Sequence, residues 1–100
     1  MADPVSPLVS IGIPTYNRAN SYLKQALRSA VNQTYKNLEI IVSDNCSSDD
    51  TESVVKEFRD PRIRYFRQNK NIGAVPNCNF CLEQAQGKYF LALYDDDLVD

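Results

Sequence analysis

Three consecutive aspartates, Asp95, Asp96 and Asp97, follow an apolar segment at residues 89–94. Carboxylate oxygens at the tip of a buried strand suit hard divalent cations such as Mg²⁺ or Mn²⁺, which often bind phosphate as well. Carboxylates this close repel one another, so a cation that neutralises them would stabilise the cluster. Because aspartate is common in turns, the triplet taken alone is more typical of a solvated turn. The rest of the sequence favours the metal site.

Composition limits the classes of protein to which the chain could belong. With 100 residues, 43% of them hydrophobic and 24% charged, it is one small globular domain or part of a larger one. A net charge of -2 gives no basic excess, so we expect no nucleic-acid partner. Histidine is absent, so any catalysis must use carboxylates, lysine, tyrosine or a metal bound through oxygen.

The cysteines favour a structural role. Cys46, Cys78 and Cys81 are three in number, so they cannot all pair in disulfides. The C-x-x-C pair has neither a second pair nor a histidine to complete a zinc site. We therefore expect Cys78 and Cys81 to be buried on a helix face, and free thiols predict a cytoplasmic location. Residues 1–7 lack the layout of a signal peptide and are expected to form a flexible lead-in.

Hydrophobic periodicity alternates between the patterns of strands and helices along the chain. It predicts strands at 8–14, 38–43, 62–67 and 88–94. Helices are expected from residue 21 to about 32, from a cap at Ser47 or Ser48 to about 58, and from Pro76 to a left-handed Gly87. The order β-α-β-α-β-α-β predicts an α/β fold with a mostly parallel sheet and helices on both faces, in which the charged third strand lies nearer an edge.

Three strand ends should meet at one edge of this sheet, where open α/β sheets bind ligands. They carry residues 14–17, residues 44–45 and the aspartate triplet. Tyr16 offers an aromatic face for a flat base, while the side chains of Thr15 and Asn17 offer polar edges. Asp44 could accept hydrogen bonds from a pyrimidine imide or a ribose, or it could simply begin a turn. The sequence alone leaves both roles of Asp44 open.

Charged groups after the third strand complete this edge. Arg67, Asn69 and Lys70 could meet a negative group, although a solvated charged loop is the more typical reading. With three glycines in the whole chain and no phosphate-binding glycine motif, a diphosphate would need a metal to neutralise it. A nucleotide would then place its base near Tyr16 and Asp44 and its diphosphate near Asp97.

Five segments in order resemble family 2 glycosyltransferases of the GT-A fold, over about residues 8–98. They are VSIGIPTYNR at 9–18, SAVNQTY at 29–35, LEIIVSDNCSSDDT at 38–51, NKNIG at 69–73 and AQGKYFLALYDDD at 85–97. The resemblance implies transfer of a sugar, with inversion, from a nucleoside-diphosphate sugar to an acceptor hydroxyl. A UDP-sugar is the expected donor, and a sugar or a lipid-linked molecule is the expected acceptor.

The resemblance also implies roles for particular residues. The donor-binding set is Pro14, Thr15, Tyr16, Asn17, Asp44, Asn69, Asp95 and Asp96. Asp97, with Asp95, would bind a Mn²⁺ or Mg²⁺ cofactor that bridges the diphosphate. The inverting reaction also needs a base, which in this family lies beyond the D-x-D motif.

The chain departs from the family pattern in two ways. Asn45, Cys46 and Ser47 stand where the family often has a second aspartate and a glycine. The sequence also stops at Asp100, so we expect residues 8–100 to be the donor-binding half, without its catalytic base. The sequence alone leaves open whether this half is active. The missing half predicts exposed apolar surface on the third helix and fourth strand, and self-association. A lipid-linked acceptor predicts a place at the inner face of the membrane.

Two other functions fit parts of the sequence. Asp95-x-Asp97-x-Val99 resembles the D-x-D-x-[TV] motif of haloacid-dehalogenase-type phosphatases, although that motif usually follows the first strand rather than the fourth. The chain could also be a non-catalytic module that binds a nucleotide sugar or a protein partner.

Overall fold

The computed structural model describes residues 6–17 and 22–93, which alternate between strands and helices as predicted. The elements are β1 (Val9–Thr15), α1 (Tyr22–Val31), β2 (Leu38–Asp44), α2 (Thr51–Glu57), β3 (Ile63–Arg67), α3 (Ala74–Gln84) and β4 (Tyr89–Ala92). The order β-α-β-α-β-α-β is therefore confirmed, and each boundary lies within a few residues of its predicted position.

The four strands form one parallel sheet in the order β3-β2-β1-β4. β3 lies at an edge of this sheet, as its charged residues predicted. The register pairs Thr15 of β1 with Asp44 of β2, and Asp44 with Arg67 of β3. The carboxyl ends of three strands thus form one row, toward which β4 also points because it is parallel to β1.

Helices cover both faces of the sheet because side chains alternate along each strand. One face packs against α1 and α2 and forms the hydrophobic core, with Ile13 and Val42 from the strands against Leu27 and Val55 from the helices. The other face packs against α3. There, a Cβ added to Gly12 would lie 2.7 Å from Phe90 Cζ and 2.8 Å from Cys81 Cβ, so glycine permits the close approach of α3.

The predicted cap of α2 and the predicted left-handed end of α3 are wrong. α2 begins at Thr51 rather than after Ser47 or Ser48, and the amide of Thr51 donates to Asp49 Oδ1 at 3.2 Å. α3 ends at Gln84, and Gly87 has no positive φ. Gly87 is instead required by space, because an added Cβ would lie 2.6 Å from Ser10 Oγ.

The thiol of Cys81 is buried as predicted and donates to the carbonyl of Ile41 at 3.8 Å. Burial raises its pKa to about 12, so the thiol stays protonated and serves packing rather than chemistry. Cys78, on the same helix, is half-buried.

Apolar surface lies exposed on α3 and β4, as predicted. The exposed residues are Val75, Leu82, Tyr89 and Leu91. Self-association through this surface stays a prediction. Among the helices that the structure describes, none is long and apolar enough to cross a membrane.

A buried carboxylate fixes the start of β4 at the amino-terminal edge of the sheet. Glu39 accepts hydrogen bonds from Ser10 Oγ at 2.6 Å, from the amide of Gln86 at 2.5 Å and from Arg64 Nη1 at 2.8 Å. Burial opposes ionisation of Glu39, but these hydrogen bonds together outweigh it and hold its pKa below the usual value of 4.5. The network ties the segment that leads into β4 to β1, β2 and β3.

Candidate functional site

The loop after β1 is joined to the loop after β2 by side chains. Asn17 Oδ1 accepts from the amide of Ser48 at 2.8 Å, and the amide of Asn17 donates to Ser47 Oγ at 2.9 Å. Asn17 has a positive φ of 54°, and Tyr16 beside it is 46% exposed. These two predicted donor-binding residues therefore differ in how accessible they are. The ring of Tyr16 is exposed, whereas the side-chain oxygen of Asn17 already accepts a hydrogen bond that joins the two loops.

Asp44 is enclosed by its own loop and by β3. Its side chain is 1% exposed, its Oδ1 accepts from the amide of Ser47 at 2.9 Å, and its Oδ2 accepts from Tyr65 Oη at 2.5 Å. The turn expected as one of two roles for Asp44 is therefore present, and its contact with a ligand stays a prediction. Burial, and then the Asp44 carboxylate, raise the pKa of Tyr65, so this hydroxyl remains a donor.

Asn45 connects the edge to the loop before α3. Its Nδ2 donates to Asn71 Oδ1 at 3.0 Å and to the carbonyl of Gly73 at 3.2 Å, and its Oδ1 accepts from the amide of Ile72 at 2.8 Å. An aspartate could accept the last of these bonds but could not donate the first two. At this position, where the sequence departs from the pattern it resembles, asparagine thus makes two hydrogen bonds that an ionised aspartate could not make.

The side chain of Arg67 contacts other residues of this edge, whereas the sequence favoured a solvated charged loop. Its Nη2 donates to the carbonyl of Ser47 at 2.9 Å, and its Nε lies 4.0 Å from Asp44 Oδ2. Asn69 is exposed at the same edge, and its carbonyl accepts from Cys46 Sγ at 3.6 Å. The structure thus brings Tyr16, Asp44 and Asn69 to one edge, as predicted.

Two residues at the end of β1 are enclosed rather than open. Pro14 is buried within β1. Thr15 is 2% exposed, and its hydroxyl has no hydrogen-bond partner among the residues that the structure describes.

The candidate metal ligands Asp97 and Asp95, and Asp96 of the predicted donor-binding set, lie outside the described residues. Within 6–17 and 22–93, no group of three or more histidine, cysteine, aspartate or glutamate side chains could hold a metal. The amide of Leu93 donates to the carbonyl of Gly12 at 2.8 Å, so pairing with β1 continues one residue beyond β4. This edge of the sheet would therefore hold a cation only if the aspartates that follow Leu93 in the sequence supplied its oxygen ligands.

Two surface grooves are lined by residues outside the predicted set. One, of about 440 Å³, lies between α2 and β3 and is lined by Val55, Lys56, Arg59, Asp60, Pro61, Ile63 and Tyr65. The other, of about 220 Å³, lies between α1 and α2 and is lined by Lys24, Arg28, Glu57 and Phe58. Neither contains a residue of the predicted donor-binding set, so their volumes do not locate the site.

Comparison with known proteins identifies related sequences and folds. The model of the family described as glycosyl transferase family 2 matches residues 10–100. The GalNAc(5)-diNAcBac-PP-undecaprenol beta-1,3-glucosyltransferase of Campylobacter jejuni is 48% identical over 94 residues, which are 91% of this chain and 30% of that protein.

Two solved structures share the fold. S. aureus TarS in complex with UDP-GlcNAc superposes with a TM-score of 0.80 at 29% identity, over 88% of this chain and 26% of that one. The mannosyltransferase PcManGT from Pyrobaculum calidifontis, in complex with GDP-Man and Mn²⁺, gives a TM-score of 0.81 at 26% identity, over 93% and 28%. The chain thus spans less than a third of the length of each of these three relatives.

Proposed function

The chain belongs to glycosyl transferase family 2, and we propose that it supplies the donor-binding part of an enzyme that transfers a sugar, with inversion, to an acceptor hydroxyl. The observation that carries the proposal is the row of strand ends Thr15, Asp44 and Arg67, from which ordered loops present Tyr16 and Asn69. The two solved structures described above are complexes with UDP-GlcNAc and GDP-Man, which are both nucleoside-diphosphate sugars.

We place the donor along this edge, with its base on the β2 and β3 side and its diphosphate on the β4 side. Tyr16 would stack on the base, and the Asp44 and Asn69 loops would border the base and ribose. Asp95 or Asp96 would approach the ribose or a metal-bound water. Asp97, assisted by Asp95, would hold Mn²⁺ or Mg²⁺, a choice that the Mn²⁺ complex of the mannosyltransferase supports.

The residues of this chain bind and orient the donor. When bound, the cation stabilises the negative charge that develops on the departing nucleoside diphosphate. The hydrogen bonds of Asn17, Asp44 and Asn45 fix the loops before the donor arrives, so less ordering has to accompany binding. The acceptor hydroxyl must lose its proton to a base, and we assign no residue of this chain to that role.

The remaining parts of the enzyme are proposed from its relatives. We propose that residues 8–100 are the amino-terminal portion of a longer GT-A domain, because the chain spans 30% of the Campylobacter enzyme. The name of that enzyme includes an undecaprenol-linked substrate, so a lipid-linked acceptor and a place at the inner membrane face fit this chain. Because the family model matches residues 10–100, we do not retain the phosphatase alternative. A non-catalytic module remains the second candidate for the isolated chain.

Calorimetric titration of the protein with UDP and with GDP, each with and without Mn²⁺, tests the proposal. We expect one of these nucleotides to bind in the presence of Mn²⁺. Without the cation, its affinity should be at least about tenfold lower. Asp97→Ala should remove this difference, whereas Asp44→Ala should weaken binding both with and without Mn²⁺. Equal affinities with and without Mn²⁺ would contradict the metal-dependent site, and no binding to either nucleotide would favour a module without a donor site.

A further inference from the structure

The guanidinium of Arg67 is held in place at the donor edge while much of its side chain remains open to solvent. One of its N–H groups donates to the carbonyl of Ser47 at 2.9 Å, and its Nε lies 4.0 Å from Asp44 Oδ2. The Arg67 side chain is 47% exposed, whereas that of Asp44 is 1% exposed. Of this neighbouring pair, Arg67 is therefore the member that an incoming ligand can reach.

The position of Arg67 in the sheet decides which part of a donor it meets. β3 and β4 lie at opposite edges of the order β3-β2-β1-β4. Three strand spacings separate them, or about 14 Å at the usual spacing. If the diphosphate lies on the β4 side, Arg67 lies at the far end of the ligand, beyond Tyr16, where the base is.

A guanidinium donates hydrogen bonds and accepts none, so its hydrogen bonds to a base go only to acceptor groups. Uracil and guanine carry a keto oxygen, O4 or O6, at the position where cytosine and adenine carry an amino group. The amino group presents hydrogens to Arg67 and cannot accept from it.

We propose that Arg67 faces the 4 position of a pyrimidine or the 6 position of a purine, and so favours donors with a keto base, uracil or guanine, over those with cytosine or adenine. This inference rests on the proposed function, because it needs a nucleotide at this edge. Asp44 takes part by holding Arg67 and the Ser47 carbonyl in place. The complexes of the two structural neighbours, with UDP-GlcNAc and GDP-Man, both contain keto bases.

The test measures dissociation constants in Mn²⁺ for two pairs of nucleotides of matched size, UDP with CDP and GDP with ADP. In the size class that the protein binds, we expect the keto nucleotide to bind roughly 10- to 100-fold more tightly than its amino counterpart. Arg67→Met should reduce that ratio to within about twofold, mainly by weakening the keto nucleotide. Arg67→Lys keeps the charge without the planar fork and should leave a smaller ratio than the original protein.

Lys56→Met is the matched control, because Lys56 is a cation with a side chain 69% exposed on α2. It removes the same charge and should leave the ratio unchanged. Thermal unfolding of each variant checks that it is folded, and Arg67→Gln serves as a second neutral variant.

Three results would overturn the inference. An unchanged ratio in Arg67→Met, while nucleotides still bind, would refute the base contact and leave the proposed function intact. Equal weakening of both members of a pair would show a general effect of charge. Failure of the original protein to bind any nucleotide would overturn the proposed function and this inference with it.

Discussion

Replacement of Asn45 by aspartate should destabilise the protein strongly although the two side chains have nearly the same shape. Asn45 Nδ2 is a donor to Asn71 Oδ1 at 3.0 Å and to the carbonyl of Gly73 at 3.2 Å. Asn71 cannot turn its own amide toward position 45, because its Oδ1 also accepts from the amide of Gly73 at 2.8 Å. In Asn45→Asp, a carboxylate oxygen would therefore face two acceptors.

The magnitude follows from the bonds that are lost. Each hydrogen bond contributes about 0.5–1.5 kcal/mol net, and a buried polar group left without a partner costs about 1–3 kcal/mol. Asn45 is 4% exposed, so water offers little compensation. We expect Asn45→Asp to lower the free energy of unfolding at neutral pH by about 2–4 kcal/mol. The melting temperature should fall by about 10 °C or more.

The pH dependence separates this cause from general loosening of the loop. A protonated carboxyl group has one O–H donor, so acid should restore one of the lost bonds. The difference in stability between the original protein and Asn45→Asp should therefore shrink between pH 7 and about pH 4, near the ordinary pKa of aspartate. Asn45→Ala removes the same bonds without adding a charge, and its deficit should stay nearly constant over that range.

Thermal or urea unfolding at the two pH values measures these differences. An Asn45→Asp protein within about 0.5 kcal/mol of the original at neutral pH would refute the hydrogen-bond assignment of Asn45. So would a deficit that grows toward acid.

Other residues allow independent checks by the same unfolding measurements. Glu39→Gln should cost about 2–4 kcal/mol, because the amide cannot accept all the bonds that the buried carboxylate accepts. Because the pKa of Glu39 is lower in the folded protein, the stability that its carboxylate provides is present above the usual pKa of 4.5. This stability is lost as the pH falls through the lowered pKa. Glu39→Gln should therefore lose less stability in acid than the original protein does. Arg59 has φ 52°, so Arg59→Gly should stabilise by about 1 kcal/mol while Arg59→Ala should give no gain. Gly87→Ala should destabilise by about 1–3 kcal/mol, because its Cβ would lie 2.6 Å from Ser10 Oγ and 2.7 Å from the carbonyl of Leu8. If Gly87→Ala melts with the original protein, the close packing at that position is wrong.

The fold was predictable because local patterns carry it. The apolar runs of β1 and β2 and the amphipathic spacing of α1 each lie within about ten residues, and the alternation of elements then determines a parallel sheet. The charged residues of β3 also placed it at an edge, where one side of the strand meets water.

The details of the site were not predictable, because they depend on contacts between distant residues. Asn17 and Ser48 are 31 residues apart, and Tyr65 and Asp44 are 21 apart. Sequence periodicity contains no signal for such pairs. For the same reason Ser47 or Ser48 was expected to cap α2, although both serines form hydrogen bonds with Asn17. Tyr65 was read only as part of a strand, and its hydroxyl proved to be a main partner of Asp44.

Hydrogen–deuterium exchange with and without nucleotide tests most directly whether the donor lies at the carboxyl-terminal edge of the sheet. The experiment uses Mn²⁺ and whichever of UDP and GDP binds more tightly. We then expect slower exchange in peptides covering residues 14–17, 44–48 and 67–73. Peptides at the opposite edge, around residues 6–9 and 86–88, and along the groove at 55–63 should exchange as before. Protection confined to those other regions, with none at the three strand ends, would contradict the proposed site.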